Sequence, residues 1–152
     1  MNFYEMLFDN AVYGDSKDFH GVVDRSITRV TKNMLRGLTS IGYSAFNSCA
    51  SLTAIELPPT LQVIAEYGLA GCTSLTEIDI PASVTEIRSY AFFNSTSLAK
   101  VIVRAITPPT LGASGVFLNT ANNLSIEVPA ESVSAYKTAW SEYADKIVAI
   151  GG

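Results

Sequence analysis

The sequence predicts an α/β repeat solenoid, a stack of short coils with an apolar helix before it and a capping helix after it. Two observations carry this prediction. Equivalent apolar residues recur in segments that begin at Leu38, Leu61 and Val84, which are 23 residues apart. After Pro129 the apolar spacing changes to steps of three or four residues. A fixed period with the same apolar positions is the mark of stacked repeats, because a single coil cannot bury its own apolar face.

Residues 1–20 form the first predicted element, an apolar helix followed by a linker. Asn2 can cap the start of the helix and Gly14 can end it. A helix this short is marginal by itself, so we expect it to dock on another surface. The large apolar side chains expected to anchor the chain or drive its oligomerisation are Phe3, Met6, Leu7 and Phe8.

Residues 21–130 form the predicted solenoid. Its coils are expected at 22–37, 38–60, 61–83, 84–106 and 107–130, and the first of them is degenerate because half a turn is missing. Within a coil, alternating residues such as Thr76 to Ile80 predict a half-buried strand that Pro81 ends. The stretch 45–49 and its equivalents predict a helical turn that points Phe46, Leu69 or Phe92 inward.

Residues 131–152 form the predicted C-terminal cap and tail. Large apolar side chains recur here with helical spacing, at Val133, Tyr136, Trp140, Tyr143 and Ile147. This pattern predicts one amphipathic helix. We expect its apolar face to cover the last coil of the solenoid.

The composition of the 152 residues excludes several classes of function. Charged residues make up 16%, and the net charge of −4 with a pI near 4.9 argues against a nucleic-acid partner. No apolar run is long enough to span a membrane, and the N-terminus lacks the pattern of a secretory signal. No phosphate-binding loop or metalloprotease motif occurs, and His20 is the single histidine. We therefore expect no enzymatic activity, cofactor or metal.

Cys49 and Cys72 are the two cysteines, and they occupy the same position in adjacent coils. Parallel neighbours lie roughly 4.8 Å apart, which is within disulfide range, but parallel Cβ vectors make the bridge geometry poor. Ser95 takes this position in the next coil. We predict buried, reduced thiols, and a disulfide is the alternative.

Two sets of residues are candidates for binding a partner. The first set lies on the outward face of the longer strands: Glu56, Glu77, Asp79, Lys100, Ile102 and Glu127. This face either binds a basic partner or is a solvated surface that keeps the domain soluble. The second set lies near the turns: Tyr43, Tyr67 and Tyr90. These tyrosines either belong to a binding surface, where tyrosine is enriched, or fill partly buried turns.

The run from Ile80 to Phe92, followed by Ser97-Leu98, resembles the BspA-type leucine-rich repeat. The segment from Pro129 through Trp140 is similar to the one that often closes such domains, so the resemblance covers about residues 26–150. It implies adhesion and protein binding at bacterial surfaces, with host proteins among the ligands. It implies no catalytic residues.

The segment from Phe3 to Leu7 resembles the N-terminal segment of some phage and prophage structural proteins. That resemblance implies a virion component, a tail or head fibre or a decoration protein, that binds a protein or glycan. It also implies a homo-oligomer, most simply a trimer, or a larger assembly held through residues 2–13. The alternatives are a bacterial cell-surface adhesin, a purely structural decoration protein and an intracellular scaffold.

Overall fold

The computed structural model describes residues 24–152 and the backbone of one short strand before them, Asp18–Phe19. In chain order the strands are β1 (Asp18–Phe19), β2 (Arg29–Val30), β3 (Ser40–Ile41), β4 (Ala54–Ile55), β5 (Val63–Ile64), β6 (Glu77–Ile80), β7 (Glu86–Ile87), β8 (Lys100–Val103), β9 (Thr110–Leu111), β10 (Ser125–Val128) and β11 (Ile147–Ala149). One helix, α1 (Val133–Ala139), lies between β10 and β11.

The strands form parallel sheets on the sides of a solenoid, as the sequence predicts. One side is the sheet β1-β3-β5-β7-β9, and the other side holds the pair β2-β4 and the sheet β11-β10-β8-β6. The pairs β3–β5 and β6–β8 join residues 23 positions apart, such as Ile41 with Ile64 and Ile78 with Val101. Strands of two residues therefore suffice, because each pairs with its equivalent in the next coil.

The core consists of columns of equivalent side chains that run along the stack. Phe46, Leu69, Phe92 and Phe117 form one column, and each is at most 3% exposed. The rings of Phe92 and Phe117 stack with centroids 5.5 Å apart. Burial of such a side chain contributes about 1.5–3 kcal/mol, so these columns hold the coils together.

The first coil differs from its prediction. β1 pairs with β3, with Phe19 opposite Ile41, so the strand expected to be missing from this coil is present. The predicted boundary after residue 20 therefore falls inside the solenoid. The sequence did not predict this strand, because the strand comes before residue 22 and carries no repeat signature. The short distance from Ile27 to Leu38 therefore suggested that half a turn was missing.

Each of the four coils after the first has two residues in the left-handed backbone region, four positions apart. These residues are Ser44 and Ser48, Tyr67 and Gly71, Tyr90 and Asn94, and Gly115 and Asn119. Such residues cannot continue a right-handed helix. The stretch 45–49 and its equivalents are therefore successive tight turns, and the predicted helical turn was wrong in its backbone although Phe46, Leu69 and Phe92 point inward.

The C-terminal segment is less regular than the single helix that was predicted. α1 follows a 3-10 turn at Ala130–Ser132 and ends at Ala139, because Trp140 leaves the helical region with φ −111° and ψ 51°. A second 3-10 segment, Ser141–Lys146, then leads into β11. Ile147 thus belongs to a strand, in which it pairs with Ile126 of β10.

The cap is fastened to the last coil by the polar ends of its buried aromatic side chains. The Tyr136 hydroxyl donates to the Ala105 carbonyl at 2.6 Å, and Trp140 Nε1–H donates to the Pro109 carbonyl at 2.9 Å. The Tyr143 hydroxyl accepts from the Phe117 N–H. Each aromatic residue therefore covers apolar surface. It also hydrogen-bonds a backbone group of the last coil, which has no further coil to pair with.

Cys72 and Ser95 form a ladder of side-chain hydrogen bonds inside the stack. Ser95 Oγ donates to the Leu69 carbonyl at 2.8 Å and accepts from the Cys72 N–H at 3.2 Å. Cys72 Sγ in turn donates to the Phe46 carbonyl at 3.3 Å. The side chain at this position therefore bonds the backbone of the preceding coil.

The two cysteines are free and buried. Burial raises the pKa of Cys49 to about 11 and that of Cys72 to about 12. Both therefore remain protonated thiols at neutral pH, when Cys72 can donate its hydrogen to the ladder.

Candidate recognition surface

The outer strand face is the first predicted site, and the structure brings most of its residues together. Glu77 of β6 lies opposite Lys100 of β8, and Asp79 lies opposite Ile102. Glu127 of β10 follows on the other side of Ile102. Glu56 is exposed just after β4, outside this sheet.

Ile102 corrects the prediction, because it is only 7% exposed and offers little surface to a partner. Arg104 bonds Asp79 through two nitrogen–oxygen contacts of 3.0 and 2.8 Å, and Lys100 Nζ lies 3.5 Å from Glu127. These basic residues come two positions before and after Ile102, so the ion pairs pass on either side of it. Long side chains that cover an apolar neighbour in this way keep their charged ends in water.

Asp79 and Glu127 of this face are therefore paired with basic residues. The hydrogen bonds that Arg104 donates to Asp79 raise the pKa of Arg104, which is the sign of a favourable pair. Exposed pairs of this kind contribute little to stability. The arrangement favours a solvated face over a site that awaits a basic partner.

The tyrosines predicted near the turns form a column along the stack. The rings of Tyr67 and Tyr90 are stacked, with centroids 5.3 Å apart and planes within 9° of parallel. Tyr43 meets Tyr67 edge to face at 6.0 Å, and Phe93 meets Tyr90 in the same way at 5.6 Å. Tyr43 begins the column and is the most exposed large apolar side chain of the described residues, at 66%.

Two of these tyrosines occupy backbone positions that disfavour a large side chain. Tyr67 has φ +58° and Tyr90 has φ +61°, and the equivalent residue of the next coil is Gly115. A Cβ on Gly115 would lie 2.5 Å from the Tyr90 ring, so glycine is the residue that admits this ring. Non-glycine residues in this region cost about 1 kcal/mol or more.

The column continues into residues that the sequence analysis did not select. Phe93 is one, and Leu118, its equivalent in the next coil, is 52% exposed. Beside them the Asn119 side-chain amide donates to Asn94 Oδ1 at 2.6 Å. Aligning the fourth coil with an offset of 25 residues identifies Leu118 as the neighbour of Phe93.

A groove of about 270 Å³ opens beside Tyr43, and the sequence analysis did not predict it. Its polar lining includes Thr39, Ser40, Gln62, Glu66 and Arg88. The space arises from one position of the repeat, which holds Gly42 and Ala65 in two coils and Arg88 in the third. Gly42 and Ala65 are small and leave the space open, and the long Arg88 side chain lies at one end of the groove.

Ion pairs fix the polar end of the groove. Arg88 Nε lies 3.0 Å from Glu86 Oε1, and Arg88 Nη1 lies 3.9 Å from Glu66 Oε2. All three side chains are between 40% and 43% exposed, so each of them reaches water. The groove therefore presents planar hydrogen-bonding groups held in place beside an aromatic ring.

A larger depression of about 580 Å³ lies near the proline-ended strands. Lys32, Glu56, Asp79 and Arg104 contribute to it, together with Pro59, Pro81 and neighbouring apolar residues. It is shared between the outer strand face and the turns. Two of its charged residues, Arg104 and Asp79, are paired with each other.

Residues 24–152 hold no group of three or more His, Cys, Asp or Glu side chains that could bind a metal ion. In the same part of the chain, no helix has the length and apolar character needed to cross a bilayer. The predicted anchoring residues Phe3, Met6, Leu7 and Phe8 lie outside the described residues, as does His20.

The comparisons with known proteins agree with the repeat architecture. Residues 24–144 match the family model of the BspA type leucine-rich repeat region, in six copies. A crystal structure of a leucine-rich repeat protein from Bacteroides ovatus ATCC 8483 is similar, with 28% identity and a TM-score of 0.57. That match covers 80% of this chain and 30% of the Bacteroides protein. No curated protein matched the chain.

Proposed function

The chain belongs to the BspA-type leucine-rich repeat family, and we propose from this that it is a non-enzymatic recognition module, displayed at a surface, that binds a protein or glycan. The tyrosine column carries the proposal. A merely structural turn would favour glycine at the positions of Tyr67 and Tyr90. Tyrosine is also enriched where proteins bind partners.

The finer proposal is a phage or prophage virion component, in which residues 2–13 anchor the chain and the repeats face outward. It rests on the apolar side chains Phe3, Met6, Leu7 and Phe8, which would each contribute about 1.5–3 kcal/mol if fully buried. A homotrimer is the simplest assembly of this kind. The alternatives are a bacterial cell-surface adhesin and a structural decoration protein that binds no ligand.

Binding assays test the recognition function directly. The full chain would be immobilised and exposed to a panel of purified extracellular glycoproteins, each in its native form and after enzymatic removal of its glycans. Saturable binding to either form, lost in Tyr67→Gly/Tyr90→Gly, supports the proposal. Glycine adopts the left-handed backbone conformation without strain, so the variant should still fold. An absence of binding to the whole panel would leave the structural alternative.

Light scattering tests the oligomeric part. The full chain is compared with Phe3→Glu/Leu7→Glu, which introduces charge into the proposed anchor. An assembly that becomes a monomer supports anchoring through residues 2–13. A wild-type monomer of 16.3 kDa would contradict it.

A further inference from the structure

We propose that the groove beside Tyr43 binds a neutral carbohydrate, with one sugar ring placed between the Tyr43 side chain and the Glu66–Arg88 pair. This inference rests on the proposed recognition function and assigns it a ligand class and a site. The size of the groove, its aromatic wall and the pairing of its charges each favour this ligand class.

The size suits a small ring or the end of a chain. The groove holds about 270 Å³, just below the usual range for sites that bind drug-sized molecules. It is also open to solvent, and the ring column that begins at its Tyr43 wall continues through Tyr67 and Tyr90.

The aromatic wall is held in a fixed orientation. Tyr43 packs edge to face on Tyr67, which in turn stacks on Tyr90. Aromatic side chains offer large rigid contact area at low entropic cost, and 66% of Tyr43 is available for contact. A sugar presents an apolar C–H face for such a ring and hydroxyl groups at its rim.

The polar lining matches those hydroxyl groups better than it matches an ion. Arg88 is paired with Glu86 and Glu66, so a charged ligand would have to compete with an existing ion pair. A hydroxyl group can accept from the guanidinium or donate to the carboxylate without separating them. Thr39, Ser40 and Gln62 add neutral donors and acceptors.

The probe is a printed array of neutral oligosaccharides, and the full chain is the analyte. The strongest ligand is then titrated into the wild type and the variants by calorimetry. We expect at least a tenfold loss of affinity for Tyr43→Ala, and a similar loss for Ala65→Arg, which fills the groove with the residue that the third coil carries at this position. Ile106→Ala is the matched control, since Ile106 is an apolar side chain that is 57% exposed and lies outside the groove and the tyrosine column, and this variant should bind like the wild type.

Thermal melting of each variant establishes that it is folded. Binding of deglycosylated proteins without any glycan on the array would overturn the carbohydrate inference and leave the recognition function standing. Glycan binding that Tyr43→Ala and Ala65→Arg do not weaken would place the ligand elsewhere and also overturn it. Failure to bind both panels would overturn the recognition function itself.

Discussion

Replacing Ser95 with alanine tests the internal ladder. The Ser95 hydroxyl serves the Cys72 N–H and the Leu69 carbonyl, both in the preceding coil and inside the core. Each buried polar group that loses its partner costs about 1–3 kcal/mol. Some of this cost is recovered if the Cys72 N–H turns to the Leu69 carbonyl, as the Cys49 N–H does with the Phe46 carbonyl. We therefore expect Ser95→Ala to lower the free energy of unfolding by about 2–4 kcal/mol.

Ser95→Cys is the matched control. A thiol already fills the equivalent position at Cys72, where it donates to the Phe46 carbonyl of the preceding coil. The control should therefore cost less than about 1 kcal/mol, although sulfur is the larger and weaker hydrogen-bonding atom.

Urea unfolding followed by circular dichroism and by Trp140 fluorescence gives both values. Trp140 lies in the cap, so coincident transitions would also establish that the stack unfolds as one unit. A cost below about 0.5 kcal/mol for Ser95→Ala, or an equal cost for Ser95→Cys, would refute the ladder as a source of stability.

Four further outcomes are expected. The free energy of unfolding should fall as the pH rises from about 9 to 11, because the folded chain keeps the protons of Cys49 and Cys72 that the unfolded chain releases above the ordinary thiol pKa. The variant Cys49→Ser/Cys72→Ser should fold and lose this pH dependence. Chemical unfolding at pH 8.5 and at pH 10 measures both. The intact mass without reductant should equal that of the reduced chain, and a deficit of about 2 Da that reductant reverses would reveal a disulfide. Ile78→Lys should lower the free energy of unfolding by about 3–5 kcal/mol, because Ile78 is 1% exposed. Glu77→Gln at the neighbouring position should lower it by less than about 0.5 kcal/mol. Equal shifts in melting temperature for the two variants would contradict the strand register. Tyr136→Phe should cost about 1–3 kcal/mol by leaving the Ala105 carbonyl unpaired, and an unchanged unfolding midpoint would argue against that fastening.

The period of the sequence was enough to predict the inward columns. Residues at an offset of 23 share a position in the coil, so the burial of Phe46, Leu69 and Phe92 followed from counting. The prediction failed where contacts between coils decide the outcome. Its position equivalent to Asp79 placed Ile102 on the outer face, but Ile102 is only 7% exposed, and the residues two positions before and after it form ion pairs with the neighbouring strands.

The end of the chain shows a second limit. The steps of three or four residues continue through Ile147, so helical spacing alone extended the helix to that residue. In the structure Ile147 pairs with Ile126, a contact across 21 residues that local spacing does not contain. The groove was missed for a related reason, because its volume comes from small residues, Gly42 and Ala65, which carry no polar or apolar signal of their own.

Three successive coils each supply one part of the groove. Tyr43 forms its wall, Gln62 and Glu66 line its middle, and Arg88 lies at its far end. A gain or loss of one coil by recombination would preserve the spacing of the core columns and the ladder, but it would give Tyr43 different neighbours. The contacts that hold the fold together therefore repeat from coil to coil, whereas the groove requires three particular coils in one order.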